Sequence, residues 1–519
     1  MSTDGTDPHL DIDFHNNIET SKRIRKEENK ELTTGKFSKM STDSAYRKKI
    51  INTLCIYTSF IAMSLAKGPI GPSFLDLQAI SGVGLESGSS LLTTLYIGYM
   101  LSAIVSGCLF DKFHRSLLLS AAMFLLACAT VAIPWCSMYW LMVIAFFCLG
   151  AMVGATDAIA NAEVQRIWGK DGKPFMQGLQ FMYSFGFSVA PLLTILFLEI
   201  PSNIDLSKLH YPEQNHNTSL TNYSTSLNKT VLLQNRSSQI ANHSQIYEDS
   251  AFVRSPYIYK AFIIGGCVSL SAFVILLVFY CTFDRQNKTN HRETESTTPA
   301  KSRLPLRLRV LGILHMAGIQ ALLSGIDDTL MAFLTAFCVK ELDWTKAEGA
   351  LLTSVGSFVA VAGRFIAIFL VQVISPIKLV GFHSVLTLIV FIGFYISTLQ
   401  KSNIGIWIVS SLFGYAKAPV LACVFSWTDE VFLPVTGRIS SIFLVFITAN
   451  SASNPLILGF FMDNFSNMWF CYLFLGESVL LVLVVGSALL LTRRVKTTYG
   501  TNYESRRVDI KVTEDLLDN

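Results

Sequence analysis

The chain has 519 residues, of which 51% are hydrophobic and 15% charged, with a formal net charge of +4. So apolar a composition excludes an ordinary soluble protein of this length, and so small a net charge does not mark a nucleic-acid partner. Twelve apolar stretches account for it, each able to cross a bilayer, because about 20 residues rising 1.5 Å each cover a hydrocarbon core of about 30 Å.

In chain order, a polar, charged tail (1–49) without a usable apolar period is expected to be disordered and cytoplasmic. Spans 1–6 are predicted near 51–70, 89–110, 116–135, 139–162, 176–200 and 257–281, within a first half covering 50–283. A basic linker (284–309) follows, and then spans 7–12 near 310–337, 348–373, 379–399, 404–424, 438–461 and 469–491, within a second half covering 310–492. A short tail (493–519) closes the chain. The expected fold class is an all-α membrane protein of 12 transmembrane helices in two six-helix halves.

Lysines and arginines crowd the first tail, the linker and the last tail, which an even number of spans puts on one side. The positive-inside rule makes that side cytoplasmic. The loop 201–256 then faces outward, and it carries five Asn-x-Ser/Thr sequons, at Asn217, Asn222, Asn228, Asn235 and Asn242. Trp135, Trp140, Trp168, Trp344, Trp407, Trp427 and Trp469 all fall at or just beyond span ends, as an interfacial aromatic belt predicts. No signal peptide is visible, so the first span is expected to direct insertion. The ten cysteines lie in or beside spans, and no disulfide framework is expected. No Gly-x-x-x-x-Gly-Lys-Ser/Thr loop is present, which argues against transport driven directly by ATP. No metal-ligand or triad spacing points to an enzyme.

Polar residues inside the spans point to function, since a charge at the bilayer centre costs roughly 2.5–3.5 kcal/mol on insertion scales. In span 4, Asp157, Asn161 and Gln165 form one helical stripe, while Gly150, Gly154 and Ala158 form a small-residue face for close helix packing. Asp157 suits sugar hydroxyls, a sodium ion or a proton; the structural alternative is an ion pair with Lys417. Gln177, Gln180 and Ser184 line one side of span 5, where neutral amides both donate and accept, as a polyol requires. Span 7 carries Gln320, Ser324, Asp327 and Asp328; the adjacent carboxylates must be protonated, paired or bound to a cation. Lys67, Arg364 and Lys417 are also intramembrane, Lys417 near the midplane and Arg364 toward the cytoplasm, where a latch with Asp429 or Glu430 is expected. Asn450 and Asn454, four apart and followed by Pro455 in span 11, read as cavity-lining or kink-stabilising groups, and His315 and His383 as packing residues.

Two six-span halves around a basic linker match the layout of the major facilitator fold. The loop after span 2, Gly107-Cys-Leu-Phe-Asp111-Lys112-Phe-His114-Arg115, resembles its Gly-x-x-x-Asp-basic-x-Gly-basic signature, with His114 in place of the second Gly. Further matching stretches are Gly71-Pro-Ser-Phe-Leu-Asp76, Ile133-Pro-Trp, Gly154-Ala-Thr-Asp157, Phe175-Met-Gln177-Gly-Leu-Gln180, Gly363-Arg364 and Trp427-Thr-Asp429-Glu430. Together they resemble the sodium-dependent glucose transporter one branch, the domain-containing family four of major facilitators, which is distantly similar to fucose permeases. The resemblance implies glucose or a related sugar as solute and sodium as coupling ion, with Asp111 as part of a conformational latch. It departs at Gln180, where relatives commonly carry His, and near Gln320, where some carry Glu, so facilitated diffusion stands beside coupled transport.

The expectation is a secondary transporter working by alternating access on a small polar solute, most readily a hexose. Asp157, Asn161, Gln177, Gln180, Gln320 and Lys417 are the candidate substrate contacts, and Asp327, Asp328, Asp111 and Arg364 the candidate ion-coupling or gate residues. No cofactor is expected beyond a possible coupling sodium ion. The expected setting is a monomer in the plasma membrane, with the bilayer and a small solute as partners. Lys417, Lys67 and Arg364 favour an organic-anion carrier as the alternative, and a non-transporting membrane sensor is the reading from another class.

Overall fold

In the computed structural model, the described residues are 44–109, 113–168, 173–198, 257–284, 304–433 and 437–499. Twelve of their helices are long and apolar enough to cross a membrane. Spans 1–6 are Ser44–Lys67, Leu85–Leu109, Arg115–Ala132, Tyr139–Trp168, Lys173–Leu198 and Tyr259–Phe279. Spans 7–9 are Leu306–Leu342, Lys346–Val373 and Pro376–Leu399. Span 10 is two helices, Asn403–Lys417 and Val420–Val431, and spans 11 and 12 are Gly437–Asn464 and Trp469–Tyr499. The described residues contain no strand. Span 1 begins and span 12 ends on the same side, here the terminal face; the opposite side is the distal face. Asp111, Lys112, the five sequons, most of the linker and both tails lie outside the described residues.

Within the first half, span 2 packs along span 4, and span 3 along span 6. Glycine sets the first of these distances. A Cβ at Gly150 would stand 1.9 Å from the Leu95 carbonyl oxygen, and one at Gly154 would stand 2.3 Å from that of Tyr99. The small-residue face read from span 4 is thus where span 2 lies. In the second half, span 9 packs on span 12, and span 8 on the first part of span 10. Between the halves, span 2 runs along span 11 and span 5 along span 8.

Span 10 breaks at Pro419, which has no N–H to return to the carbonyl four residues back. Ala418 N–H takes the Tyr415 carbonyl instead, at 3.2 Å. Two buried side chains serve the same region: His383 Nδ1 donates to the Ala416 carbonyl at 2.9 Å, and Gln320 Nε2 to the Leu421 carbonyl at 3.0 Å. Backbone freed by a break inside a bilayer needs such partners, because water is not there to supply them.

The tryptophans divide into two groups. Trp135 and Trp140 are exposed at 67% and 72%, as interfacial residues would be. Trp427 is a correction to the belt: it is fully buried and donates from Nε1 to Thr492 Oγ1 at 3.0 Å, tying span 10 to span 12. Its position near a helix end carries no information about which way the ring points.

The close approach at Gly150 gives a stability test. Gly150→Val should destabilise the fold by about 1–3 kcal/mol or more through overpacking, lowering the melting temperature of the detergent-purified protein. Val at Gly476, where a Cβ would meet nothing within 4 Å, should leave it near wild type.

Candidate functional site

Asp157 sits half-buried in span 4, and its hydrogen-bond donors among the described residues are neutral. Tyr99 from span 2 donates to its Oδ2 at 2.5 Å. Asn161 Nδ2, one turn along, donates to Oδ1 and to the Asp157 backbone carbonyl, each at 2.8 Å. No cation among the described residues forms an ion pair with Asp157. Tyr99 was absent from the sequence reading, yet an intramembrane carboxylate needs donors and a span tyrosine is one of few side chains able to supply one. On span 5, Gln177 is exposed and Gln180 half-buried, while the Ser184 hydroxyl is committed to the Gln180 carbonyl at 2.8 Å.

Lys417 pairs with Asp327, inside the second half, so the alternative of a pair with Asp157 does not hold here. Its Nζ also lies 5.7 Å from the centre of the Phe413 ring. Asp328 faces a different way. It pairs with Lys67 of span 1 at 3.2 Å and accepts from Ser451 of span 11 at 2.8 Å. The repulsion between adjacent carboxylates is thus relieved by giving each its own lysine. Lys67 in turn stands 4.7 Å from the Tyr96 ring centre, and a small cavity between the halves is lined by Lys67, Tyr96, Phe187 and Asp328.

Arg364 corrects the expected cytoplasmic latch. Glu430 is paired with Lys496 at 2.8 Å, within the second half. Arg364 instead reaches the Gln180 carbonyl across the halves at 3.4 Å and lies within electrostatic reach of Asp327 and Tyr183. The reason is directional. Helical side chains tilt toward their own N-terminus, which for span 8 is distal, so the guanidinium rises toward the membrane centre. Gln320 is buried and spends its amide nitrogen on span 10, as described above.

Contacts between halves concentrate toward the distal face. Besides Lys67–Asp328, Lys346 pairs with the fully buried Asp76 at 2.9 Å. The Glu86 amide donates to Asp463 Oδ2 at 3.1 Å, and Thr93 Oγ1 to the Ala452 carbonyl at 2.7 Å. A Cβ at Gly71 would lie 2.2 Å from the Met331 carbonyl oxygen. Toward the terminal face, the ion pairs among the described residues stay within one half, as in Arg166–Glu163 at 2.6 Å and Lys496–Glu430. The molecule is therefore closed distally.

The Lys67–Asp328 pair is partly exposed, so its loss should weaken that closure by about 1–3 kcal/mol, between the surface and buried limits. Ser89 is fully buried beside Gly459 of span 11 and can report the change. In a Ser89→Cys protein, Lys67→Ala should speed labelling by a membrane-impermeant maleimide, and the exchange Lys67→Asp with Asp328→Lys should slow it again.

A family model described as Major Facilitator Superfamily matches residues 53–203 and 255–455. The chain is 24% identical over 415 residues to mouse "Sodium-dependent glucose transporter 1A", covering 80% of this chain and 90% of that protein. Its fold matches the inward-open xylose transporter XylE of E. coli with a TM-score of 0.60 at 13% identity, covering 85% of this chain and 95% of that one. It also matches the transporter FucP in its outward conformation with a TM-score of 0.54 at 16% identity, covering 86% and 99%. With the family model covering more than half of the chain, the chain belongs to the Major Facilitator Superfamily, and is a multi-pass membrane transporter rather than an enzyme.

Proposed function

We propose that this transporter carries a neutral polyhydroxylated solute, glucose or a related hexose, by alternating access. The charge balance between the halves carries the reading. Lys67, Lys417 and Arg364 contribute three cations, and Asp157, Asp327 and Asp328 three carboxylates, so the formal sum is zero. A site of zero net charge that keeps exposed amides at Gln177 and half-buried ones at Asn161 and Gln180 suits hydroxyl groups better than an anion. The name of the mouse relative supports a sugar and sodium coupling. Asp157 is the candidate solute contact in the first half because its oxygens are held by neutral donors that hydroxyls can replace. In the second half, Lys417–Asp327 can open toward the solute without leaving a charge unmatched. The terminal face is taken as cytoplasmic and the membrane as the plasma membrane, in line with the basic tails and linker.

A second reading has one observation of its own. Arg364 has no carboxylate within ion-pairing distance among the described residues, and an organic anion would supply one.

Uptake of labelled glucose into cells expressing the chain, with sodium present or replaced by choline, tests both. Sodium-dependent uptake should fall about tenfold or more in Asp157→Asn, the scale of losing one charge-assisted hydrogen bond. Absence of uptake by protein present at the surface would refute the hexose, and anion uptake abolished by Arg364→Gln would establish the second reading.

A further inference from the structure

Span 12 carries a carboxylate that the central site does not use. Glu477 lies where spans 7, 11 and 12 meet, and its Oε1 accepts from Asn454 Nδ2 at 2.7 Å. Its Oε2 is buried and has no hydrogen-bond partner among the described residues. Asn450, one turn before Asn454, also directs its amide nitrogen inward, donating to the Ala321 carbonyl of span 7 at 3.0 Å. Room for the two amides is made by Gly325, where a Cβ would stand 1.9 Å from Asn450 Nδ2 and 3.0 Å from Asn454 Nδ2. The site is thus assembled from three helices, with a glycine kept clear for it.

The charged and titratable groups on the surrounding elements are turned elsewhere. On span 7, Asp327 is held by Lys417 and Asp328 by Lys67, His315 Nδ1 is bonded to the Leu311 carbonyl, Arg307 and Arg309 lie at the terminal end, and Lys340 and Glu341 stand at the distal end. On span 9, His383 is bonded to Ala416, the Tyr395 ring packs at a tilt against Tyr472 of span 12, and Lys378 is at the terminal end. On span 11, Asp463 meets the Glu86 amide, and on span 10, Glu430 meets Lys496 while Asp429 lies beside it at the terminal end. No cation among the described residues pairs with Glu477.

We propose that Glu477 is a proton-binding site, and that its protonation favours the distally closed state. An ionised carboxylate without a cation in a bilayer is costly, and neutralisation by a proton is the usual escape. Sodium fits less well, because the amides present nitrogens to the carboxylate and the described residues hold no second carboxylate there. The coupling runs through span 11. Between the two asparagines, Ser451 donates to Asp328, which pairs across the halves with Lys67, and the Ala452 carbonyl accepts from Thr93 of the first half. Pro455 follows at once, where the missing N–H lets the helix bend. A proton at Glu477 therefore acts on the same helical turn that holds the distal face shut, and linkage requires that opening release it. This holds whichever solute the central site takes.

Infrared difference titration of the purified full chain in lipid tests the site without a substrate. The wild type should show the carbonyl band of a protonated carboxylic acid, lost on alkalinisation and absent from Glu477→Gln. Glu477→Asp, which keeps the acid, should shift the band rather than remove it, and guards against a folding defect in the first variant. Bands identical in wild type and Glu477→Gln would overturn the proposal, as would a band abolished by sodium in place of choline at constant pH. The gating arm uses the Ser89→Cys reporter: labelling, divided by that of a fully exposed cysteine to remove the pH dependence of the thiolate, should rise with pH, and stay low and flat once Glu477→Gln is added. An unchanged pH response in that double variant, or none in the parent, would refute the coupling to closure.

Discussion

A charge inside a bilayer must be matched by a partner, and this requirement organises the interior of the molecule. Lys67, Lys346, Lys417, Asp76, Asp327 and Asp328 are all satisfied pairwise. Two of those three pairs cross between the halves, and both lie toward the distal face. The same pairing that permits these residues in the membrane therefore also decides which side of the transporter is shut. Asp157 is the exception among the central carboxylates, since only neutral donors hold it.

Backbone groups obey the same rule. Pro419 breaks span 10, where side chains from neighbouring spans take up the freed backbone, and Pro455 lies inside the continuous helix of span 11. His383 and Gln320 serve the first, and the second lies beside Asn450, Asn454 and Glu477. Polar residues in these spans thus fall into two kinds. Those bonded to backbone carbonyls brace the helices around these prolines, while those facing between the halves are the proposed contacts of a solute.

The number of spans was legible because length and hydropathy alone determine it, and the close packing of spans 2 and 4 was legible from glycines four residues apart. Most of the charges that sit in the membrane were equally plain. Their partners were not. Lys417 had Asp157 and Asp327 as candidates, and only helix rotation and depth choose between them. Arg364 was placed by the depth of its Cα, which ignores a long side chain that climbs toward the centre. Trp427 was placed by nearness to a helix end, which says nothing about the direction of a ring. Glu477 was overlooked although the rule that flags Asp157 applies to it: it follows Gly476 eight residues into span 12, in a stretch otherwise apolar and aromatic. Tyr99 escaped because tyrosine in a span carries no charge to attract notice, even where it satisfies one.

Ion pairs are well suited to a gate that must both close firmly and open. An apolar contact between the halves would be lost to water on opening with nothing to replace it. A lysine and a carboxylate released into an aqueous cleft regain their hydration, so the Coulomb attraction lost is offset by solvation returned. The closed state is then favoured by a difference between two large and opposed quantities, which a modest local change can tip. A solute bound between Asp157 and the Lys417–Asp327 pair would alter that balance from the centre. Span 11, which touches Asp328 on one side and Glu477 on the other, would alter it from behind. What makes the arrangement switchable is that neither influence needs to break the helix packing within a half, where the glycine-set contacts leave little freedom.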